Sequence, residues 1–416
     1  MDRTEKALRL AETLGGKDGL NCVAELDPTA LRQAAAQEAR GDLPLAGVPI
    51  LVQDNVDVMG RHTTAGSLAL LDNLARTDAP VIRRLRENGA VILGKTNMTE
   101  FANYTTDGMP GGYSSRGGQV IHAANPALSP SGSSSGSAVA VAAGIVPMAV
   151  GTDTSFSVTA CAMHNGICGL KPPVGVLSAE GILPIARTLD SAGAMARSFS
   201  DTLKLCSAMR EEPLPPIDPL PVPRLRLGVN RANGDRVPED ERAFHRQLIE
   251  RLRAEGAAVG ELLQPPVREV ATIMKWEFRP MLEAYLRRSS ASRKTLAEIV
   301  EYYESHPDTM MKYGDVCLRA ALDETPGGLE GKPYLDALAV RRETIPRVRA
   351  ELNSCDAVLM TRPTNVMHFC ALPSAAVAGP MKSDAGVERA VILYGADEYR
   401  LYAAALTIER VLYGMA

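Results

Sequence analysis

Clustered positive charge is missing from this chain. Its 45 lysines and arginines face 49 aspartates and glutamates, for a formal net charge of −4, and no basic block or basic–aromatic stripe occurs. Neutralising a phosphate backbone takes clustered cations, so no nucleic-acid partner is expected. Paired cysteines are missing too. The seven present (22, 161, 168, 206, 317, 355 and 370) are scattered, odd in number and without C-x-x-C spacing, which argues against a disulfide framework and a structural zinc. The six histidines form no H-x-H or H-x-x-x-H pair, so neither a metal nor another cofactor is expected. No stretch reaches about 18 uninterrupted apolar residues. The longest apolar run, around Ala138–Val150, is broken by Gly144 and Pro147, and no membrane partner is expected. The opening MDRTEKALRLAETLGG is charged and amphipathic, unlike a signal peptide, and points to a cytoplasmic location.

What is present is a composition with ample core, 45% apolar and 23% charged. The chain is organised around Pro130–Pro172, where two small-residue loops, SGSSSGS at 131–137 and GTDTSFS at 151–157, flank a run of alanine and valine. Loops this rich in glycine and serine fold tightly and aim N–H groups and hydroxyls at one point. Around them, apolar strands alternate with amphipathic helices. Helices are expected at 2–14, from the Asp27-Pro28-Thr29 cap to about Arg40, at Asp78–Asn88, Met98–Tyr104, Ser135–Ala143 and Asp397–Leu412. Strands are expected at Asn21–Leu26, Gly47–Val52, Ala90–Leu93, Met148–Val150, Arg224–Val229, Ala357–Leu359 and Arg389–Leu393. The proline-rich Glu212–Pro223 reads as a surface crossing, and about 230–350 as a helical insertion. Fold class is therefore α/β, with both sheet faces covered. The chain is expected to be one domain over 1–416, with a core of 1–210 and 351–416.

A serine hydroxyl is a poor nucleophile until a base takes its proton, and no histidine has a recognisable motif beside the two loops. A neutral lysine relayed through a second serine is another solution, because burial readily lowers a lysine pKa. Here GVPILVQDN, TTAGS, GAVILGKTNMTEFAN, SPSGSSSGSAVAVAAG, GTDTSFSVTACAMHNGICGLKP and LDSAGAMARS follow one another in order. In this the chain resembles the amidase signature family, closely over about 20–210, and is most similar to its peptide-amidase-like branch. The resemblance implies a large twisted mixed β-sheet covered on both faces by helices. It also implies Ser157 as nucleophile, Ser133 as the bridging serine after Gly132, and an oxyanion hole from the N–H groups of Thr154, Ser155 and Phe156. Asp153 belongs to the same loop, and His368, just before LPSAAVAG, is expected to contact substrate. Lys95 and Lys171 fall on structural positions of the family.

Two positions depart from that pattern. Where the family carries its basic lysine this chain has Gln53, whose amide cannot take a proton near neutral pH. Losing a triad member costs on the order of 10⁴- to 10⁶-fold in kcat. Phe156 replaces the glycine before the nucleophile, where a positive φ would add roughly 1–2 kcal/mol. The expectation is a divergent enzyme acting on an acyl- or amide-like small molecule by acyl transfer, cyclisation or a related biosynthetic step, through Ser157, Ser133 and Gln53. A catalytically silent paralogue that binds a ligand or partner is the alternative, and weak amide hydrolysis a third. A homodimer stays open. His62 is read as an exposed loop residue, His164 as a satisfied core histidine, and Cys161 as packed.

Overall fold

The computed structural model describes residues 2–38, 40–230, 238–262, 264, 267–360 and 364–415. Its strands are β1 Val23–Leu26, β2 Pro49–Gln53, β3 Val91–Thr96, β4 Tyr113–Ser114, β5 Gly118–Gln119, β6 Met148–Asp153, β7 Cys168–Lys171, β8 Ser191–Ala196, β9 Arg226–Asn230, β10 Ala258–Leu262, β11 Ala357–Met360, β12 Ser374–Lys382 and β13 Glu388–Tyr394. All but the β4–β5 ribbon join one sheet in the order β1-β3-β2-β6-β8-β7-β12-β13-β11-β9-β10. β2 runs parallel to β3 and β6, and β9 runs parallel to β10 and β11. The remaining pairs, including β6 with β8 and β12 with β13, are antiparallel. The sheet is mixed, with a hydrophobic cluster on each face.

The sequence explains the placement of these elements. Every residue of PILVQ in β2 is buried, as a strand covered on both sides requires. The helix Pro80–Glu87 starts on proline and turns Val81, Ile82 and Leu85 inward. The helix Glu398–Tyr413 is capped by the Asp397 side chain and buries Leu401, Ala404, Ala405 and Ile408. Ser135–Ala142 shows no polar face because its residues through Val141 are all buried.

Several expectations are corrected. Met98–Tyr104 is not a helix: only a 3₁₀ turn forms at Glu100–Asn103, with Phe101 and Ala102 at positive φ. Strands β7 and β8 carry no strand signal of their own, because CGLK and SAGAMA are short and lack bulky β-formers. The stretch expected to be helical from about 230 first extends the sheet, since β9, the helix Glu239–Ala254 and β10 form a parallel β–α–β unit. Helices dominate only afterwards, from Glu269–Arg288 to Lys332–Leu352. Residues 231–237, at the expected start of that insertion, and residue 39, near the expected end of the second helix, lie outside the described residues.

The first small-residue loop is pressed against backbone. A Cβ on Gly136 would sit 2.2 Å from the carbonyl oxygen of Asn97 and 2.5 Å from that of Cys22. Neither partner is a side chain that can swing away. Gly136→Ala should therefore lower stability by about 1–3 kcal/mol or more. Gly144→Ala, which meets nothing within 4 Å but sits at φ +70°, should cost only about 1–2 kcal/mol. Thermal unfolding midpoints of the two variants check that order.

Candidate functional site

Because β2 and β6 lie side by side and parallel, with Val52 opposite Val150, Gln53 and Asp153 emerge at the same end of the sheet. Ligands of α/β sheets bind at the carboxyl ends of strands. Thr152 knits this end together. Its Oγ1 accepts from Gln53 Nε2 at 2.8 Å and from Asn55 Nδ2 at 3.0 Å. Its N–H is 3.3 Å from Gln53 Oε1 and 3.2 Å from Ser134 Oγ, and Ser134 Oγ donates to its carbonyl at 3.0 Å. The amide of Gln53, fully buried, thus binds Thr152 through both its nitrogen and its oxygen.

Ser133 follows a cis peptide bond from Gly132. Gly132 packs where a Cβ would meet Thr99 Oγ1 at 2.4 Å, and the Ser133 carbonyl accepts from the Thr99 N–H at 3.1 Å. The Ser133 hydroxyl is fully buried and has no hydrogen-bond partner among the described residues. Gln53 does not reach it. Ser157 is 6% exposed, at the far end of the second loop. That loop is closed by the Val158 N–H, which donates to Asp153 Oδ2 at 2.7 Å. Thr154 Oγ1 donates to Asp190 Oδ1 at 2.6 Å, and Ser155 Oγ lies 3.5 Å from Asn365 Oδ1.

Phe156 takes φ +74°, the left-handed region that a glycine would occupy without a Cβ penalty. Its N–H donates to His368 Nε2 at 3.1 Å, and its ring meets the imidazole edge to face at 4.5 Å. This contact bears on two expectations. The Phe156 N–H is spent on His368 and is withdrawn from an oxyanion hole in this conformation. His368 is fully buried behind the loop, so it backs the loop where a substrate contact was expected.

An accepting Nε2 leaves the proton of the neutral ring on Nδ1, which lies 3.3 Å from Asp153 Oδ1 without hydrogen-bond alignment. Burial, with the Lys171 charge nearby, pushes the His368 pKa well below the usual imidazole range. Burial raises the Asp153 carboxyl, and the Lys171 charge opposes it. Lys171 is lowered to about 8 by burial, its Nζ fully buried without a hydrogen-bond partner among the described residues. Lys95, by contrast, donates to the carbonyls of Asp54, Val56 and His62 and holds the turn after β2. His62 Nδ1 sits 2.9 Å from Glu25 Oε2. His164 is exposed, not a core residue, and lends its carbonyl to His122 Nε2. Cys161 is buried, with its thiol pushed up to about 12.

A cleft of about 460 Å³ opens beside this loop, lined by Asn55, Asp57, Thr152, Asp153, Thr154, Asp190 and Tyr285 among others. Ser133, Ser157, Gln53, Phe156 and His368 do not line it. Asp190 is not marked as a site residue by the sequence although it sits in LDSAGAMARS, since nothing local points to its partners. Burial raises its carboxyl from 3.8 to about 7 despite the bonds from Thr154, Ile185 and Ala186. Among the described residues no group of three or more His, Cys, Asp or Glu converges as a metal site, and no helix is long and apolar enough to cross a membrane.

The raised Asp190 pKa has a defined sign. Between about pH 4 and 7 the folded protein holds this proton and the unfolded chain does not, so stability from this group falls as pH rises through that window. Asp190→Asn, which mimics the protonated form, should remove that part of the pH dependence. Its thermal midpoint relative to wild type should rise between pH 4 and 7 and level off above. A constant difference across that range would contradict the assignment.

Comparison with known proteins places this geometry. The family model described as Amidase matches residues 4–372. A probable amidase of Arabidopsis thaliana is 32% identical over 376 residues, covering 82% of this chain and 72% of the relative. A glutamyl-tRNA(Gln) amidotransferase subunit of Deinococcus radiodurans is 39% identical over 264 residues, which make up 59% of this chain and 54% of that relative. The solved structure of native peptide amidase from Stenotrophomonas maltophilia superposes with a TM-score of 0.88 at 30% identity, covering 99% of this chain and 93% of that one. From its first helix to the turn that follows His368, in its ordered loops and in its mixed sheet, this chain belongs to the amidase family.

Proposed function

We propose that this amidase-family enzyme acts on a small acyl- or amide-bearing molecule, bound in the cleft beside Thr152–Thr154, by a route that does not use a serine–serine–base proton relay. The observation that carries this is the isolated Ser133 hydroxyl, buried with no hydrogen-bond partner among the described residues while the Gln53 amide is engaged on Thr152. A relay needs hydrogen-bond reach at each step, and glutamine supplies no basic site near neutral pH. What remains is the shape of the cleft, the polar loop that walls it and the Ser157 hydroxyl at that loop's far end, outside the cleft lining, which suit acyl transfer or cyclisation of an already activated acyl group better than attack on an unactivated amide. The names of relatives, such as a peptide amidase and a glutamyl-tRNA(Gln) amidotransferase, agree with an acyl or amide group in the ligand.

A second reading, a silent paralogue that only binds its ligand, is favoured by the Phe156 N–H being bonded to His368, which takes a donor from the acyl site. Loss of turnover of an activated ester on Ser157→Ala would count against it, and wild-type-like turnover in that variant would count for it.

The proposal is tested by labelling with an alkyl fluorophosphonate, read by intact mass. The wild-type chain should label at Ser157 on the order of 10⁴-fold more slowly than the Gln53→Lys/Phe156→Gly double variant. Equal labelling rates would show that the wild-type site activates its serine, and would overturn the proposal.

A further inference from the structure

The cleft beside Thr154 gathers positive charge that nothing in the molecule uses. Arg76 in the loop before the helix Pro80–Glu87, Arg83 on that helix, Arg187 in the loop before β8 and Arg288 at the end of the helix Glu269–Arg288 all line it. All four are exposed, and among the described residues none has a carboxylate within ion-pairing distance or a side-chain hydrogen bond. The carboxyls of the same cleft are differently placed. Asp57 accepts from the Tyr285 hydroxyl at 2.6 Å, and Asp78 is held by the Met59 N–H and by Arg86. Asp190 is held by Thr154 and two backbone N–H groups, with its proton half retained near pH 7. Asp153 is buried, with Oδ2 accepting from the Val158 N–H and Oδ1 facing His368, and Glu180 alone is exposed without a side-chain partner. A chain of net charge −4 has therefore collected four unpaired guanidinium groups around one concavity, from segments more than two hundred residues apart.

Elsewhere on this surface some arginines are held by carboxylates, as Arg84 is by Glu87, Arg210 by Glu398 and Arg319 by Asp315, while others such as Arg224 stand singly; what sets the four apart is that they converge on one concavity. Unpaired cations lining a concave wall focus the field into it and raise the local concentration of anions. A guanidinium fork matches the two oxygens of a carboxylate, and charge-assisted bonds of that kind are about twice as strong as neutral ones. We infer that the cleft selects a small amide or acyl compound that carries a free carboxylate, its anionic end among Arg76, Arg83, Arg187 and Arg288 and its acyl end toward Thr154. This inference names the substrate class of the site proposed above and rests on that reading for the position of the acyl end.

The test is direct binding, independent of turnover. Succinamate and butyramide have similar size and share a primary amide, and only the first carries a carboxylate. Calorimetric titration of the wild-type chain at low salt should give succinamate an affinity about tenfold or more above that of butyramide, an advantage that added salt reduces. Arg76→Ala/Arg288→Ala should erase most of that advantage. Arg224→Ala, which makes a one-charge change at an exposed arginine outside the cleft, should leave it intact. Equal affinity for the two probes, binding of neither, or equal weakening by the Arg224 change would overturn the inference. Failure here is distinct from failure of the functional proposal, which is read from labelling of Ser157 and not from binding.

Discussion

The set of hydrogen bonds at Thr152 holds the site together. Its backbone and hydroxyl tie the end of β2, through Gln53 and Asn55, to the end of β6 and to Ser134 at the start of the buried helix. Both small-residue loops depart from this point, one leading to Ser133 and the other to Ser157. Buried polar groups of this density are costly unless satisfied, and a satisfied network rigidifies its surroundings. Gln53 is satisfied by Thr152. That leaves the Ser133 hydroxyl alone a short distance along the chain from a bonded Ser134.

A second constraint lies behind the loop of residues 151–157. Phe156 occupies a backbone conformation that disfavours any side chain with a Cβ, and the surroundings compensate. His368 accepts its N–H and packs edge-on against its ring, while Asp153 and Lys171 stand behind the imidazole. Phenylalanine and histidine act here as a pair drawn from positions 212 residues apart. Phe156 packs its ring against the His368 imidazole, and His368 accepts that residue's N–H.

The cleft and the loop divide the labour of the site between them. The loop contributes Thr154 to the cleft wall and keeps Phe156 and His368 out of it. Asp190, just before β8, clamps Thr154, with backbone donors from Ile185 and Ala186 on the other oxygen. Helices of the 269–352 region then supply the far wall through Tyr285 and Arg288. The cleft wall thus draws on residues remote from the small-residue loops as well as on the second loop itself.

Composition and ordered motifs were enough to determine the α/β class, the mixed sheet and the family, because buried strands such as PILVQ and glycine-rich loops leave a signal in a few adjacent residues. The same motifs marked Gln53 and Phe156 as expected departures from the family pattern. The positions of β7, β8 and β10 were not legible, since short alanine- and glycine-rich segments become strands only when neighbours offer backbone partners. Nor could the sequence show that Gln53 would bond Thr152 rather than Ser133, that His368 would back the loop, or that Asp190 would grip Thr154. Each of those depends on which side chains meet across a hundred or more residues, or across a chain reversal at the sheet's end. Hydrogen-bond reach is a matter of a few tenths of an ångström. Only the packed sheet and its covering helices set distances to that precision, so the site's scaffold was written in the sequence and its chemistry was decided by the fold.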